Sequence, residues 1–352
     1  MSLARRSALA AALAAPAVST SGALAQQPIR LRMTTIVPAG TYLFTAYSQR
    51  FADAVRDATD GRVVVQPFAA GVLAPPFEVY RAVEDGRADA GHAPPALIYQ
   101  RDPTMALVTS FPGGLGVEAT LHWLYAGEGE QFLEAHHRDR FGLVPLVAGA
   151  ATTEIFAHSW RPIRTAADLR GMKFRTLGVW AELLRGFGAE PMATPTAEVA
   201  TVLERRVIDA AKMAAPSDNV QMGLHRIAPY VVIPGAHLPG GYFTVFLRAQ
   251  RWDSIPDPLK AAIRAAARRT TFDSYVEKGM MDIAAMEEIR RGRAELITLD
   301  PGFIREIREA GRAWAAQAAA AATAAGNPWT ARAAEQVFRF QDRWEAGAVY
   351  RL

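Results

Sequence analysis

The chain has no cysteine among its 352 residues. That removes thiol nucleophiles, thiolate metal sites, iron–sulfur clusters and disulfides together. A fold without disulfides must be held by its core, and half of the residues are hydrophobic, an ordinary globular share. Histidine is scarce: the seven stand at 92, 122, 136, 137, 158, 225 and 237, none at metal-ligand spacing. The adjacent pair His136-His137 reads as solvated surface. P-loop, nucleophile-elbow, zinc-protease and dinucleotide patterns are all missing, and Gly113-Gly114-Leu115-Gly116, without a strand-to-helix context, reads as a turn. No nucleophile has a recognisable base beside it, so neither an enzyme nor a resident cofactor is expected.

A strong charge of one sign is also absent. The formal net charge is +4, and once Arg5 and Arg6 are set aside 37 basic side chains face 35 acidic ones. With no Lys/Arg-rich run, nucleic acid is not an expected partner. No apolar run reaches the roughly 20 residues that span a bilayer. The N-terminal Arg5-Arg6, the Ala/Leu stretch Ser7 to Val18 and the small-residue pattern Ala23-Leu24-Ala25 instead read as a cleavable export signal over residues 1–27. The paired arginines leave both general and twin-arginine export open.

From residue 28 onward the chain has the rhythm of an α/β protein. Ile29, Leu31 and Met33 alternate with Arg30 and Arg32, a strand with one wetter face. Leu43, Tyr47, Phe51 and Val55 recur every four residues and predict a helix over Tyr42 to Thr59. Arg62 to Phe68 is Val-rich and predicts a second strand; Pro75-Pro76 opens a helix that Gly86 ends before a short strand at Ala88 to Gly91. The order implies parallel pairing with right-handed crossovers. Glu78-Val79, Glu84 and Asp89-Ala90 recur at the same spacing as Glu198-Val199, Glu204 and Asp209-Ala210. Such an echo fits two lobes of one plan, with a ligand cleft facing the carboxyl ends of their strands. Beyond residue 255 helix formers dominate, in Pro256 to Phe272, Tyr275 to Arg290, Phe303 to Ala325 and Trp329 to Trp344. The aromatic tail of Val337, Phe338, Phe340 and Trp344 is too apolar to lie loose, and packs on its own lobes or on a partner chain.

One segment carries chemistry. Ala167 to Gly171 ends a short helix, and Lys173 to Thr176 forms a strand with Lys173 and Arg175 on one face and Phe174 on the other. A guanidinium at the carboxyl end of such a strand presents a fork of donors to both oxygens of a carboxylate, which lysine does not copy. On the residues alone, a surface salt bridge is the competing reading for Arg175.

The run Asp168-Leu169-Arg170-Gly171-Met172-Lys173-Phe174-Arg175 resembles the most recognisable motif of the solute receptors of tripartite ATP-independent periplasmic (TRAP) transporters, the DctP family. Gly71 with Pro75-Pro76-Phe77-Glu78, Ala88 to His92, Val207 to Ala211, and Pro234-Gly235 through Pro239-Gly240 extend the similarity over roughly residues 29 to 300. The pattern is closest to the branch that binds 2-oxo acids and related monocarboxylates. The resemblance implies a two-lobed α/β periplasmic binding protein with long C-terminal helices. Lobe I would comprise 28–152 plus about 238–275, and lobe II 153–237 plus about 276–310. A helical extension, 311–352, would offer a homodimer contact. It implies a periplasmic receptor whose partners are a small organic carboxylate and the membrane subunits of the transporter. It further implies Arg175 as the carboxylate clamp, with Glu154, Phe174, Trp180, Lys212, Met213 and His237-Leu238 near the ligand.

The chain departs from this pattern at the cation site. Relatives with a metal-assisted site carry Glu-Trp where this chain has Lys212-Met213, Glu where it has Leu238, and Gln where it has Glu154. A bound Na⁺ or Ca²⁺ needs several oxygen ligands, commonly carboxylates. Lys212 supplies a positive charge at that place, and Glu154 is the group to balance it. The expectation is a site without metal. Two further readings stay open: a carbonyl enzyme that forms a Schiff base on Lys212, and an interaction protein with a decayed cleft.

Overall fold

A computed structural model describes residues 27–349; the expected export signal, save its last residue, lies outside the described residues. The first sheet grows from β1 (Ile29–Thr35) as its alternation predicts: Leu31 and Met33 are buried, Arg30 and Arg32 exposed. β1 lies parallel to β2 (Val63–Phe68) and β3 (Ala90–Ala93). β10 (Gly241–Arg248) runs antiparallel between β3 and β4 (Leu143–Ala151), giving the order β2-β1-β3-β10-β4. The predicted helix over 42–59 exists but is not uniform: a π-helical turn, Phe44–Gln49, precedes the regular helix Arg50–Ala58. The third strand starts two residues later than expected. Asp89 is occupied instead in bracketing Arg32, donating its amide to the Arg32 carbonyl at 3.0 Å and accepting the Arg32 amide at 2.8 Å.

The second sheet has the order β11-β9-β5-β8-β6-β7. Its strands are β5 (Ala157–Ser159), β6 (Lys173–Arg175), β7 (Glu190–Met192), β8 (Ala210–Ala211), β9 (Tyr230–Ile233) and β11 (Glu295–Thr298). The sequence echo has a structural counterpart here. Pro76–Glu78 and Thr196–Glu198 are both single 3₁₀ turns, each feeding a six-residue helix, Val79–Glu84 and Val199–Glu204. Asp209 repeats the bracket of Asp89 on Lys173, donating to its carbonyl at 2.8 Å and accepting its amide at 2.8 Å. The two lobes are therefore built alike.

Among the described residues four connections join them: the chain from β4 to β5, the chain from β9 to β10, and two long helices, Asp257–Arg291 and Pro301–Ala324. The two helices expected over 256–290 are a single helix, Asp257–Arg291. No break is needed at Ser274, because its hydroxyl turns back to the Thr271 carbonyl at 3.0 Å and accepts the Ala150 amide at 3.2 Å. Leu259, Ile263, Ala266 and Ala267 pack into the first lobe's core, while Ile289 packs with Val231 and Ile155 in the second. Helix Pro301–Ala324, capped by Asp300, buries Phe303 and Ile307 in the second lobe's core and Ala315 against the first lobe. Helix Trp329–Gly347 returns to the first lobe, setting Ala333, Ala334 and Val337 against Trp123, Leu124 and Tyr242, with Phe338, Phe340 and Trp344 at the edge. The aromatic tail thus packs on its own chain.

That helix also overturns the reading of His136-His137 as surface. Both rings are fully buried. His136 Nε2 lies 3.1 Å from Asp102, whose carboxylate also accepts Asn327 Nδ2 at 3.2 Å, and Trp329 covers His136 at 5.5 Å between ring centroids. Asn327 and Trp329 are remote in sequence from the pair, out of reach of any local pattern.

Candidate functional site

Arg175 closes strand β6, which pairs in parallel with β8 on one side and β7 on the other. It is buried, 3 % exposed, and its charge is met by main-chain oxygens. Nε and Nη2 donate to the Thr194 carbonyl at 3.2 and 2.9 Å, and Nη1 donates to the Lys212 carbonyl at 3.0 Å. A guanidinium has five N–H donors, so one on each terminal nitrogen is left unspent by these three bonds. Burial pulls the group below its ordinary pKa and Glu154 pushes back, but a guanidinium remains charged throughout. Phe174 faces away from this, fully buried against Phe156 in the core with Leu169 and Met172. The ligand-proximal place expected for Phe174 is thus behind the site.

Glu154, Lys212 and His237 arrive from three separate segments: after β4, after β8 and between β9 and β10. Lys212 Nζ lies 2.8 Å from Glu154 Oε2 and 3.2 Å from Oε1, and His237 Nε2 lies 3.1 Å from Oε2. Gly235 lets these segments meet: a Cβ on it would fall 2.1 Å from the Glu154 carbonyl oxygen. Burial pushes the Glu154 carboxyl up, yet Lys212 and His237 outweigh it and hold it below the ordinary carboxylate value. Burial pushes His237 down, keeping its ring neutral near neutral pH. Two cations, Arg175 and Lys212, thus stand against one carboxylate, leaving one net positive charge.

An aromatic wall backs the cluster. His237 meets Phe156 edge-on at 5.3 Å and Trp180 at 5.8 Å between centroids. Two buried ring nitrogens of this wall, Trp180 Nε1 and His237 Nδ1, have no protein partner. Met213 leans instead on the apolar cluster of Val199, Leu203 and Ile208. Leu238 contributes its carbonyl, which accepts the Glu154 amide at 3.3 Å.

Four further residues escape sequence reasoning: Thr194, Lys278, Asp218 and Asp282. Thr194 acts only through its carbonyl, which no side-chain pattern reveals. Lys278 and Asp218 are a 2.7 Å pair between the long helix and the second lobe, with Lys278 fully buried 5.2 Å from the Tyr42 ring centroid. Asp282, one turn on, accepts Ser217 N at 2.9 Å and Ser217 Oγ at 2.6 Å. Lys278 and Asp282 stand four apart on a charged helix, the spacing of an ordinary surface pair. A groove of about 630 Å³ lies elsewhere, lined in part by Trp123, Arg339, Phe340 and Trp344; its size does not outweigh the convergence of charge at Arg175.

Residues 33–321 match the DctP family, bacterial extracellular solute-binding protein family 7. A monocarboxylate 2-oxoacid-binding periplasmic protein of a Nostoc species is 27 % identical over 280 residues, covering 79 % of this chain and 76 % of that protein. Two solved TRAP periplasmic solute-binding proteins share the fold. One, from Pseudoalteromonas atlantica with bound sodium and pyruvate, superposes with a TM-score of 0.82 at 24 % identity, covering 92 % of this chain and 97 % of that one. The other, from Colwellia psychrerythraea with bound calcium and pyruvate, gives 0.84 at 21 % identity, covering 92 % and 98 %.

Proposed function

The chain belongs to the DctP family of extracellular solute-binding proteins, and from that premise we propose that it is a periplasmic TRAP receptor holding a small monocarboxylate, of the 2-oxo acid class, against Arg175 without a metal ion. The family's members are solute receptors and not enzymes, which removes the Schiff-base alternative for Lys212. The observation that carries the ligand class is the pair of unspent N–H groups on a buried guanidinium whose remaining donors are fixed on carbonyls. A single carboxylate offsets the net charge of Arg175, Lys212 and Glu154; a dicarboxylate leaves a buried anion unmatched. The same economy of charge weighs against a decayed cleft, since nothing else in the fold accounts for a buried Arg175 beside a half-buried Lys212.

The residues present do not suit a cation. Lys212 places an ammonium 2.8 Å from Glu154, the carboxylate such an ion would need, and Leu238 adds no charged oxygen. No group of three or more His, Asp or Glu is arranged for a metal among the described residues. Binding proceeds by closure of the two lobes about their crossing segments: Arg175 and Lys212 draw the anion in, and closure removes water from both. Among the described residues no helix is long and apolar enough to cross a membrane, and the expected export signal supports placement in the periplasm. The test is calorimetric titration with short 2-oxo acids before and after exhaustive chelation. Equal affinities support the reading; a large loss that Ca²⁺ or Na⁺ restores overturns its metal-free part, and no binding of any monocarboxylate overturns the ligand class.

A further inference from the structure

The groove of about 630 Å³ on the first lobe has a chemistry of its own. It lies between helix Val117–Tyr125, the turn that follows it, and helix Trp329–Gly347. Arg175, Glu154 and Lys212 are not part of its lining. Its volume falls within the roughly 300–1,000 Å³ of small-molecule sites. The walls are aromatic. The rings of Phe340 and Trp344 stack with centroids 6.2 Å apart, and His122 meets Trp344 at 4.7 Å. Trp123, 1 % exposed, is the buried part of the lining. Such faces receive a flat ring in stacked or edge-on contact.

The charges of the groove do not cancel. Glu128 is fully engaged, its Oε2 accepting Gln336 Nε2 at 2.7 Å and Arg339 Nη2 at 3.0 Å. Arg339 is spent on that pair and on Glu335 at 3.7 Å. Arg343 is not spent. Asp342 and Glu345, which flank it on the helix, turn instead to Arg312 and Arg308 of helix Pro301–Ala324. No carboxylate pairs with Arg343 among the described residues. Hydrogen-bonding capacity is left over as well. His122 Nδ1 lies 2.9 Å from the Glu118 carbonyl, which only accepts, so Nδ1 carries the proton. Nε2 of the neutral ring is then a bare acceptor. Two further polar atoms of lining residues, Trp123 Nε1 and Gln336 Oε1, have no protein partner.

An unmatched guanidinium suits one carboxylate, the aromatic walls suit a flat ring, and an imidazole acceptor suits a hydroxyl. We infer that this groove is a second binding site, for a hydroxylated aromatic monocarboxylate. A dicarboxylate brings a second charge that nothing here balances. A short aliphatic acid leaves the rings and His122 untouched, so the groove selects differently from the cleft at Arg175.

Calorimetric titration of the purified protein with 4-hydroxyphenylacetate tests this, with phenylacetate and 4-hydroxyphenylacetamide as comparisons. The hydroxylated acid is expected to bind with a dissociation constant of about 1 mM or below. R343Q should weaken it about 5-fold without moving the melting temperature, since the side chain is exposed. The uncharged amide should bind R343Q and the parent equally. H122F should bring the hydroxylated acid down to the level of phenylacetate, a loss of about 3-fold. R175K should leave these affinities unchanged. No binding up to about 10 mM, an R343Q variant equal to the parent, or an amide as good as the acid overturns the inference. Binding that R175K abolishes and R343Q spares also overturns it, because the aromatic acid then sits in the inter-lobe cleft.

Discussion

Arg175 and Lys212 hold each other through the main chain. The Lys212 amide donates to the Arg175 carbonyl at 3.0 Å, and the Arg175 guanidinium donates back to the Lys212 carbonyl at 3.0 Å. The first bond extends the β6–β8 ladder; the second closes a loop from side chain to backbone. Both cations are therefore set in place before a ligand arrives, so little side-chain ordering is left to be done on binding.

This geometry separates arginine from lysine at position 175. An ammonium in Arg175→Lys cannot reach the Thr194 and Lys212 carbonyls together with both oxygens of a carboxylate. Each lost bond to a charged group is worth about 1.5–3 kcal/mol, so affinity for a short 2-oxo acid should fall roughly 10- to 150-fold. Calorimetric titration measures this, and an unchanged dissociation constant would remove Arg175 from the ligand.

Glu154 and Lys212 should behave as one unit. Removing one partner of a fully buried ion pair costs about 3–5 kcal/mol, because the other charge is left unmatched; for this half-buried pair that figure is an upper bound. Lys212→Met and Glu154→Gln should each lower stability in urea, by less than that bound. The double variant should lose clearly less than the sum of the two, and strict additivity would show that the pair is not coupled in solution.

How far the site is legible in the sequence depends on the kind of group involved. Arg175 is legible because strand alternation and a dense local motif both fall on it. Its cage is not, since the Thr194 and Lys212 carbonyls are backbone groups that every residue carries. The Glu154–His237 contact joins positions 83 apart through a glycine whose role appears only once the segments meet. The strands of the first sheet are readable from period two, whereas the burial of His136 and His137 depends on Asp102 and Trp329, remote in sequence. Lys278 is hidden by its own helix, where a buried lysine and an exposed one have the same spacing.

Acid should destabilise the protein through its buried histidines. Burial pushes His92 down to about 4 and His137 and His158 to about 3, and pushes His237 down as well. In the unfolded chain these rings titrate near their ordinary 6.5, so below that value the unfolded state binds more protons and stability falls with pH. Each such ring contributes a slope of about 1.4 kcal/mol per pH unit until its folded value is reached. Glu154 acts lower: its folded pKa is depressed, so its contribution is present above about 4.5 and is lost as pH falls through the folded value. His158 gives the clean test, since neither of its nitrogens has a protein partner. His158→Leu should match the parent at pH 7.5 or exceed it, and reduce the slope between pH 6.5 and 4 by about one proton. An unaltered slope in urea denaturation would show that His158 protonates in the folded state too.

The repeated construction of the lobes makes a prediction about backbone strain. Gly86 and Arg206 end the two equivalent short helices, and both have left-handed φ angles, 78° and 56°. Glycine adopts this region freely, whereas a residue with a Cβ loses roughly 1 kcal/mol or more. Arg206 offsets the strain by lying over the Trp160 ring, with Cζ 4.1 Å from its centroid, an interaction worth about 0.5–1 kcal/mol at an exposed site. Arg206→Ala keeps the strain and loses the ring contact, so stability should drop by about 0.5–1 kcal/mol. Arg206→Gly loses the same contact but relieves the backbone, and should stand about 1 kcal/mol above the alanine variant. Urea denaturation of both variants decides the matter: equal stabilities would mean that residue 206 carries no strain and that the likeness of the two helix ends is one of shape alone.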